Sequence, residues 1–130
     1  ILAGMLTADR RGFANTVTAM LDEPEAALEP GTTNTTIAAV MTNAAFPKAG
    51  MNKIAALASN GLVRAIAPVN TMADGDAVYA LSVGVVQADI NVVGTLAAQV
   101  LQEAIMQAVG AAGSAYGLLA RRDLDWIHEA

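Results

Sequence analysis

The junction between Asn34 and Thr35 constrains this chain more than any other feature. Before it, Asp22–Asn34 reads DEPEAALEPGTTN, with four acidic residues, two prolines, one glycine and almost nothing to bury. Such a tract is an exposed linker. After it, Thr35–Asn43 (TTIAAVMTN) is β-branched at its start and apolar through its middle. That is the pattern of a strand buried on both faces within a layered sheet. A flexible segment thus delivers a threonine to the first position of a rigid strand.

The remaining sequence supplies the layers such a strand needs. Ile1–Thr7 is apolar and reads as a strand closed by the turn Ala8–Gly12, while Phe13–Leu21 fits either a strand or a short helix. Phe46-Pro47 ends the central strand. Lys48–Ala67 then repeats Met51, Ile54, Leu57 or Ala58, Leu62 and Ala65 or Ile66 at helical spacing, and Pro68 stops it. A loop over Val69–Asp76 leads to a strand at Ala77–Val83, with Gly84–Asp89 as a connection. Ile90–Ala112 reads as a second helix with an apolar stripe of Val93, Leu96, Ala97, Val100, Ala104 and Ala108. The tail Ser114–Ala130, with Leu118, Leu119, Leu124, Trp126 and Ile127 among charges, reads as a short docked amphipathic helix. Mixed strands and helices of this kind make an α+β or layered α/β domain. The opening at Ile1, apparently within a strand, suggests the C-terminal part of a longer protein.

Composition removes whole classes of function. Lys and Arg number 7 against 12 Asp and Glu, for a net charge of −5, and aromatics are 4% of residues. Neither the basic field nor the stacking rings of a nucleic-acid binder are present. With no Cys and one His, His128, the chain offers no disulfide, no thiolate metal site and no Ser-His-Asp triad of its own. His128 itself reads as a surface residue. The mean hydropathy of +0.45 raises the question of a membrane span. The longest strongly apolar run, Ala104–Ala120, is interrupted by Gln107, Gly110, Gly113, Ser114 and Gly117. It falls short of the ~20 apolar residues a span needs, so no membrane is expected. Met41, Met51, Met72 and Met106 read as core filler and not as a ligand set.

Chemistry without His or Cys remains available at the junction. If the bond before Thr35 were cut, its hydroxyl and the freed α-amine would share one residue. The amine, with a pKa near ~8, would then serve as the hydroxyl's general base. The alternative is that Thr32, Thr33, Thr35 and Thr36 are ordinary turn and strand formers. Asp74-Gly75-Asp76 is likewise open between two readings: a carboxylate pair beside such an amine, or a turn whose Asp side chains bond local amides. As a calcium loop it lacks the remaining acidic ligands. Asn43 fits either site support or a turn cap.

Three segments carry a resemblance: NTTIAAVMTNA (Asn34–Ala44), NGLVRAIAPVNT (Asn60–Thr71) and ADGDAVYALSVG (Ala73–Gly84). In order and spacing, from Asn34 to about Ala112, the chain resembles the L-aminopeptidase/D-esterase family, which includes β-aminopeptidases and nylon-oligomer hydrolases. Its Asn-Thr junction is most similar to the nylon-oligomer hydrolase branch; many aminopeptidase members carry Gly-Ser there.

The resemblance implies a precursor that cuts itself between Asn34 and Thr35. Residues 1–34 would be the end of an α chain with its acidic processing linker, and residues 35–130 the β chain carrying the nucleophile. It implies an α+β fold, a four-layered αββα sandwich similar to that of N-terminal-nucleophile hydrolases, of which this is the C-terminal part. It further implies Thr35 as nucleophile, with Asp74 and Asp76 orienting the hydroxyl and its amine, and no metal or organic cofactor. The expected partners are the chain's own α portion, further αβ units in a homo-oligomer, and a small peptide or amide substrate. The family's oxyanion-stabilising Asn would lie upstream of this sequence. Asn70 stands where many relatives carry His. The expected location is the cytoplasm. Two competitors stay open: an acyltransferase similar to ornithine acetyltransferase, whose usual Thr-Met-Leu junction differs from Asn-Thr-Thr-Ile here, and an unprocessed, non-catalytic fragment.

Overall fold

The structure, a computed structural model, describes residues 1–24 and 34–124. Most of the acidic linker, Trp126, Ile127 and His128 lie outside the described residues. The chain divides into two compact units, Gly31–Ala104 and a second made of Ile1–Pro30 with Ile105–Ala130.

The first unit is built on a parallel pair of strands, β1 (Ile37–Ala44) and β2 (Ala77–Val86). Parallel strands need a long crossover, supplied here by α2 (Lys48–Ala58) and α3 (Asn60–Ala65). These helices replace the continuous helix expected over Lys48–Ala67. The break falls where two side chains turn back on the preceding turn: Ser59 Oγ donates to the Ala56 carbonyl at 2.7 Å and Asn60 Nδ2 to that of Leu57 at 2.9 Å. Such local bonds compete with the helical ladder.

The core of this unit is made of small contacts. Met51, Ile54 and Ala58 of α2 and Leu62 of α3 are buried at the expected spacing. Facing residues on α4 (Ile90–Ala111) are Gly94, Ala97, Ala98 and Leu101. The buried stripe of α4 is therefore rotated from the expected one: Leu96 and Val100 are exposed. Helix proximity decides this. A Cβ on Gly94 would strike the Leu57 side chain, and one on Gly61 would strike the Ala98 carbonyl oxygen. Only a face of glycine and alanine can approach so closely. By length and composition α4 is long and apolar enough to cross a membrane; here its small-residue face belongs to the core. Asp89 caps it, its Oδ1 accepting from the N–H groups of Asn91 and Val92.

Gly61 gives a direct stability test. Alanine normally improves a helix interior by about 1 kcal/mol over glycine. Against the Ala98 carbonyl and the Gln102 amide, both backbone, the added methyl has nowhere to go. We expect Gly61→Ala to destabilise the full-length protein by about 1–3 kcal/mol, read as a lower urea midpoint at unchanged slope.

The sheet departs from expectation on two counts. β1 is not buried on both faces: Ala38, Val40, Thr42 and Ala44 are covered, and Ile37, Ala39, Met41 and Asn43 are exposed. In β2, Tyr79, Leu81, Val83 and Val85 are exposed on the same alternation. Met41 is 74% and Val83 81% accessible, so an apolar sheet face stands open. β2 also runs past Val83 to Val86. An irregularity after Thr42 shifts the pairing so that Ala44 meets Val86, and Ser82 Oγ donates to the Ala44 carbonyl at 2.6 Å. Gly84 permits this because the backbone of Asn43 occupies the space a Cβ would fill.

In the second unit, Ile1–Thr7 forms no strand; Leu6 makes one isolated antiparallel bridge to Phe13. The turn between them is as expected, with Asp9 Oδ1 accepting from Thr7 Oγ1 and the Arg11 N–H. No ladder can grow because Asn15 caps a helix at once, accepting from Val17 and Thr18, and α1 (Thr16–Asp22) follows. The described tail holds a 3₁₀ turn, Arg121–Asp123, in place of an amphipathic helix. Ser114 Oγ pairs with the Asp123 carboxylate and accepts from the Ala120 N–H at 2.8 Å, which folds the tail back on itself.

Candidate active site

The parallel register of the two strands carries on beyond their N-terminal ends. Ile37 pairs with Ala77, and Asn34 forms a parallel bridge with Asp74, the same offset of 40 residues. Thr35 therefore lies opposite Gly75, and Thr36 opposite Asp76. The Gly75 N–H donates to the Asn34 carbonyl at 2.9 Å and the Ala77 N–H to the Thr36 carbonyl at 2.9 Å. The Asn34–Thr35 peptide is thus held at the mouth of the sheet, while the strand proper starts at Ile37. Thr35 is exposed and precedes the strand it was expected to begin.

Both aspartates are half-buried, and they do different things. Asp74 holds its own loop: Oδ2 accepts from the Thr71 N–H and from Thr71 Oγ1, each at 2.7 Å. Asp76 reaches across the sheet. Its Oδ1 accepts from the Thr36 N–H at 2.7 Å and its Oδ2 from the Asn70 N–H at 3.1 Å. One carboxylate therefore ties the residue after the nucleophile candidate to the loop before β2. Burial pushes the Asp76 pKa up, but the N–H groups of Asn70 and Thr36 and the Thr36 hydroxyl outweigh it, leaving the carboxyl below its ordinary value.

Asn70 presents its N–H from a left-handed conformation, φ 58°, which Asn tolerates better than most residues. Gly75 is set by space: a Cβ there would lie 2.9 Å from Thr35 Oγ1. The structure thus gathers Asn34, Thr35, Asp74 and Asp76 in one place. It adds Thr71, and brings in Thr36, Asn70 and Gly75, which the sequence showed only as a strand former, a departure from relatives and a turn residue. Thr36 and Gly75 carried a positional signal, since each neighbours a candidate in sequence, whereas Asn70 and Thr71 join the site through hydrogen bonds to Asp76 and Asp74 within the loop.

Other candidates do not converge here. Asn43 lies eight residues along β1 from Thr35, about 26 Å at strand rise. Of the methionines read as core filler, Met51 is buried, whereas Met41, Met72 and Met106 are exposed; Met41 and Met106 lie on open element faces and Met72 in the turn before β2. Among the described residues no group of three or more His, Asp and Glu comes together to hold a metal.

Chemically, this arrangement pins a peptide bond against a backbone donor, with a hydroxyl on its C-terminal side and a carboxylate one residue beyond. Comparison with known proteins bears on the chain as a whole. The chain is 36% identical over 115 residues to an uncharacterized aminopeptidase of Mycobacterium leprae, covering 77% of this chain and 30% of that protein. It is 40% identical over 81 residues to uncharacterized aminopeptidases of Mycobacterium bovis and Mycobacterium tuberculosis, covering 62% of this chain and 23% of each. The chain spans less than a third of the length of these relatives. No solved structure matches it. Residues 5–122 match peptidase family S58, and with so much of its length matched the chain belongs to that family.

Proposed function

We propose that this chain is the nucleophile-bearing portion of a self-processing peptidase of the L-aminopeptidase/D-esterase type, with Thr35 as its nucleophile. The observation that carries the reading is the placement of the Asn34–Thr35 peptide in register against Asp74–Asp76, with the Asp76 carboxylate on the Thr36 N–H. In self-cleavage, Thr35 Oγ attacks the Asn34 carbonyl carbon. The hydroxyl proton passes to the Thr35 nitrogen, the C–N bond breaks, and an ester forms between Asn34 and Thr35. Water opens the ester, giving an Asn34 carboxylate and a free Thr35 hydroxyl and α-amine.

In turnover the same oxygen attacks a substrate amide with the α-amine as general base. The substrate's amine leaves and water releases the acyl group. Asp76 holds the backbone beside the nucleophile, and the Asp74 and Asp76 charges favour the ammonium form that the amine adopts when it takes the proton. No step calls on a metal or organic cofactor.

The substrates are small amides and esters: N-terminal residues of peptides, amino-acid amides or esters including D- and β-amino-acid derivatives, and nylon-like oligoamides. The open face of Ile37, Met41, Tyr79, Leu81 and Val83 supports a missing layer. On this reading the α portion covers it, completing a four-layered αββα sandwich, and αβ units assemble further. The test is the intact mass and N-terminal sequence of the purified full-length protein. A fragment beginning at Thr35 is expected, and one uncut species would sink the proposal.

A further inference from the structure

We propose that Gly75 is a catalytic group of the self-cleavage: its N–H takes the charge that develops on the Asn34 oxygen, and its missing side chain leaves the space in which Thr35 Oγ1 attacks. This inference rests on the self-processing reading above. Two independent features carry it. The Gly75 N–H already donates to the Asn34 carbonyl oxygen at 2.9 Å, and a Cβ at Gly75 would come within 2.9 Å of Thr35 Oγ1. The first feature bears on the acceptor oxygen of the bond to be broken; the second bears on the attacking atom.

The chemistry needs both. When Thr35 Oγ adds to the Asn34 carbonyl carbon, the C=O electron pair moves onto oxygen and the carbon becomes tetrahedral. A donor fixed on that oxygen by the parallel ladder need not reorganise as the charge grows. Collapse restores the C=O, expels the Thr35 nitrogen with the proton from Oγ, and leaves the ester that water hydrolyses. Asp74 and Asp76 hold the donor in place. The Asp74 side chain closes the Thr71–Asp74 turn before Gly75, and Asp76 pins the segment after it to Thr36 and Asn70. Any other residue at position 75 except proline would keep the N–H yet press on Oγ1 and rotate it from its line of approach. On this account the glycine between the two acids is a site residue in its own right.

The test uses the full-length precursor made by cell-free translation in five forms: parent, Thr35→Ala, Gly75→Ala, Gly75→Ala combined with Thr35→Ser, and a form with glycolate at position 75. Glycolate replaces the N–H by an ester oxygen and adds no bulk. Cleavage at Asn34–Thr35 is followed over time by fragment mass, which distinguishes it from scission at the introduced ester, with and without hydroxylamine, which opens an Asn34–Thr35 ester faster than water does. The glycolate form is expected to cut about 10²-fold more slowly, with no rescue by hydroxylamine, because the lost donor acts before the ester exists. Gly75→Ala is expected to slow cleavage through displacement of the hydroxyl, and changing Thr35→Ser in that background, which frees the hydroxyl to rotate, is expected to restore part of it. A glycolate form that cuts at the parent rate, or that hydroxylamine returns to the parent rate, overturns the donor role. Gly75→Ala cutting at the parent rate overturns the spatial role. A parent that stays whole, like Thr35→Ala, would instead refute self-processing itself.

Discussion

Replacing Thr35 with alanine is expected to lower amide hydrolysis by at least ~10⁴-fold, the scale on which removal of a catalytic nucleophile acts. It should also leave the precursor uncut. The two losses can be separated. If the protein is produced as two chains, one ending at Asn34 and one beginning at residue 35 after removal of an initiator Met, the break is supplied in advance. In that background Thr35→Ala should still abolish turnover, because an alanine α-amine has no hydroxyl to activate. Thr35→Ser should retain activity, since its oxygen and amine keep the same relation. Rates on a panel of amino-acid amides would read this. Activity of the pre-cut Thr35→Ala pair at the parent level would place the nucleophile elsewhere.

The extent to which the chain was readable from its residues follows from which forces are local. The Asp74–Asp76 loop and the start of α4 were visible because turn formers and caps act within a few residues: Thr71 with Asp74, Asp89 with Asn91 and Val92. The helical spacing of Met51, Ile54, Ala58 and Leu62 was visible for the same reason. The break at Ser59 was hidden because Ser and Asn back-bonding competes only slightly with the helix. The buried face of α4 was misread because hydrophobicity ranks Leu96 and Val100 above Gly94 and Ala98. The surface it meets selects for smallness instead, with Leu57 and Gly61 pressed close.

The site was half legible for a related reason. Residue types left Thr35, Asp74 and Asp76 open between site and turn, and only the family resemblance marked them as site residues; their division of labour depends on the strand register, which no local pattern states. The common offset of 40 residues puts Thr36 opposite Asp76 and Thr35 opposite Gly75. It thereby separates one carboxylate that spans the sheet from one that closes a turn. The strand's two-sided apolarity described the layered environment it is suited to, whereas only one of its faces is covered in this chain.

Asp76→Asn should slow self-cleavage about 10²-fold, the scale on which a small misplacement of reacting groups acts, although the substitution changes no volume. The reason is hydrogen-bond parity. The carboxylate accepts the Thr36 N–H on one oxygen and the Asn70 N–H on the other, and an amide has one acceptor and one donor end. Whichever way the amide turns, an NH₂ faces an N–H. The pH dependence gives an independent check. Because the folded-state pKa of Asp76 is lowered from an ordinary value of 3.8, its contribution to stability is fully present above that value. It is lost as pH falls through the lower folded one. The difference in melting temperature between the parent and Asp76→Asn should therefore be constant across neutral and mildly acidic pH and shrink only below the ordinary carboxylate range. Cleavage by the parent should show an acid limb in that same low range, and the variant should lack it. A difference that instead fades between pH 5 and 7 would mean that another group titrates in its place and that Asp76 is not the tether of the Thr35 strand.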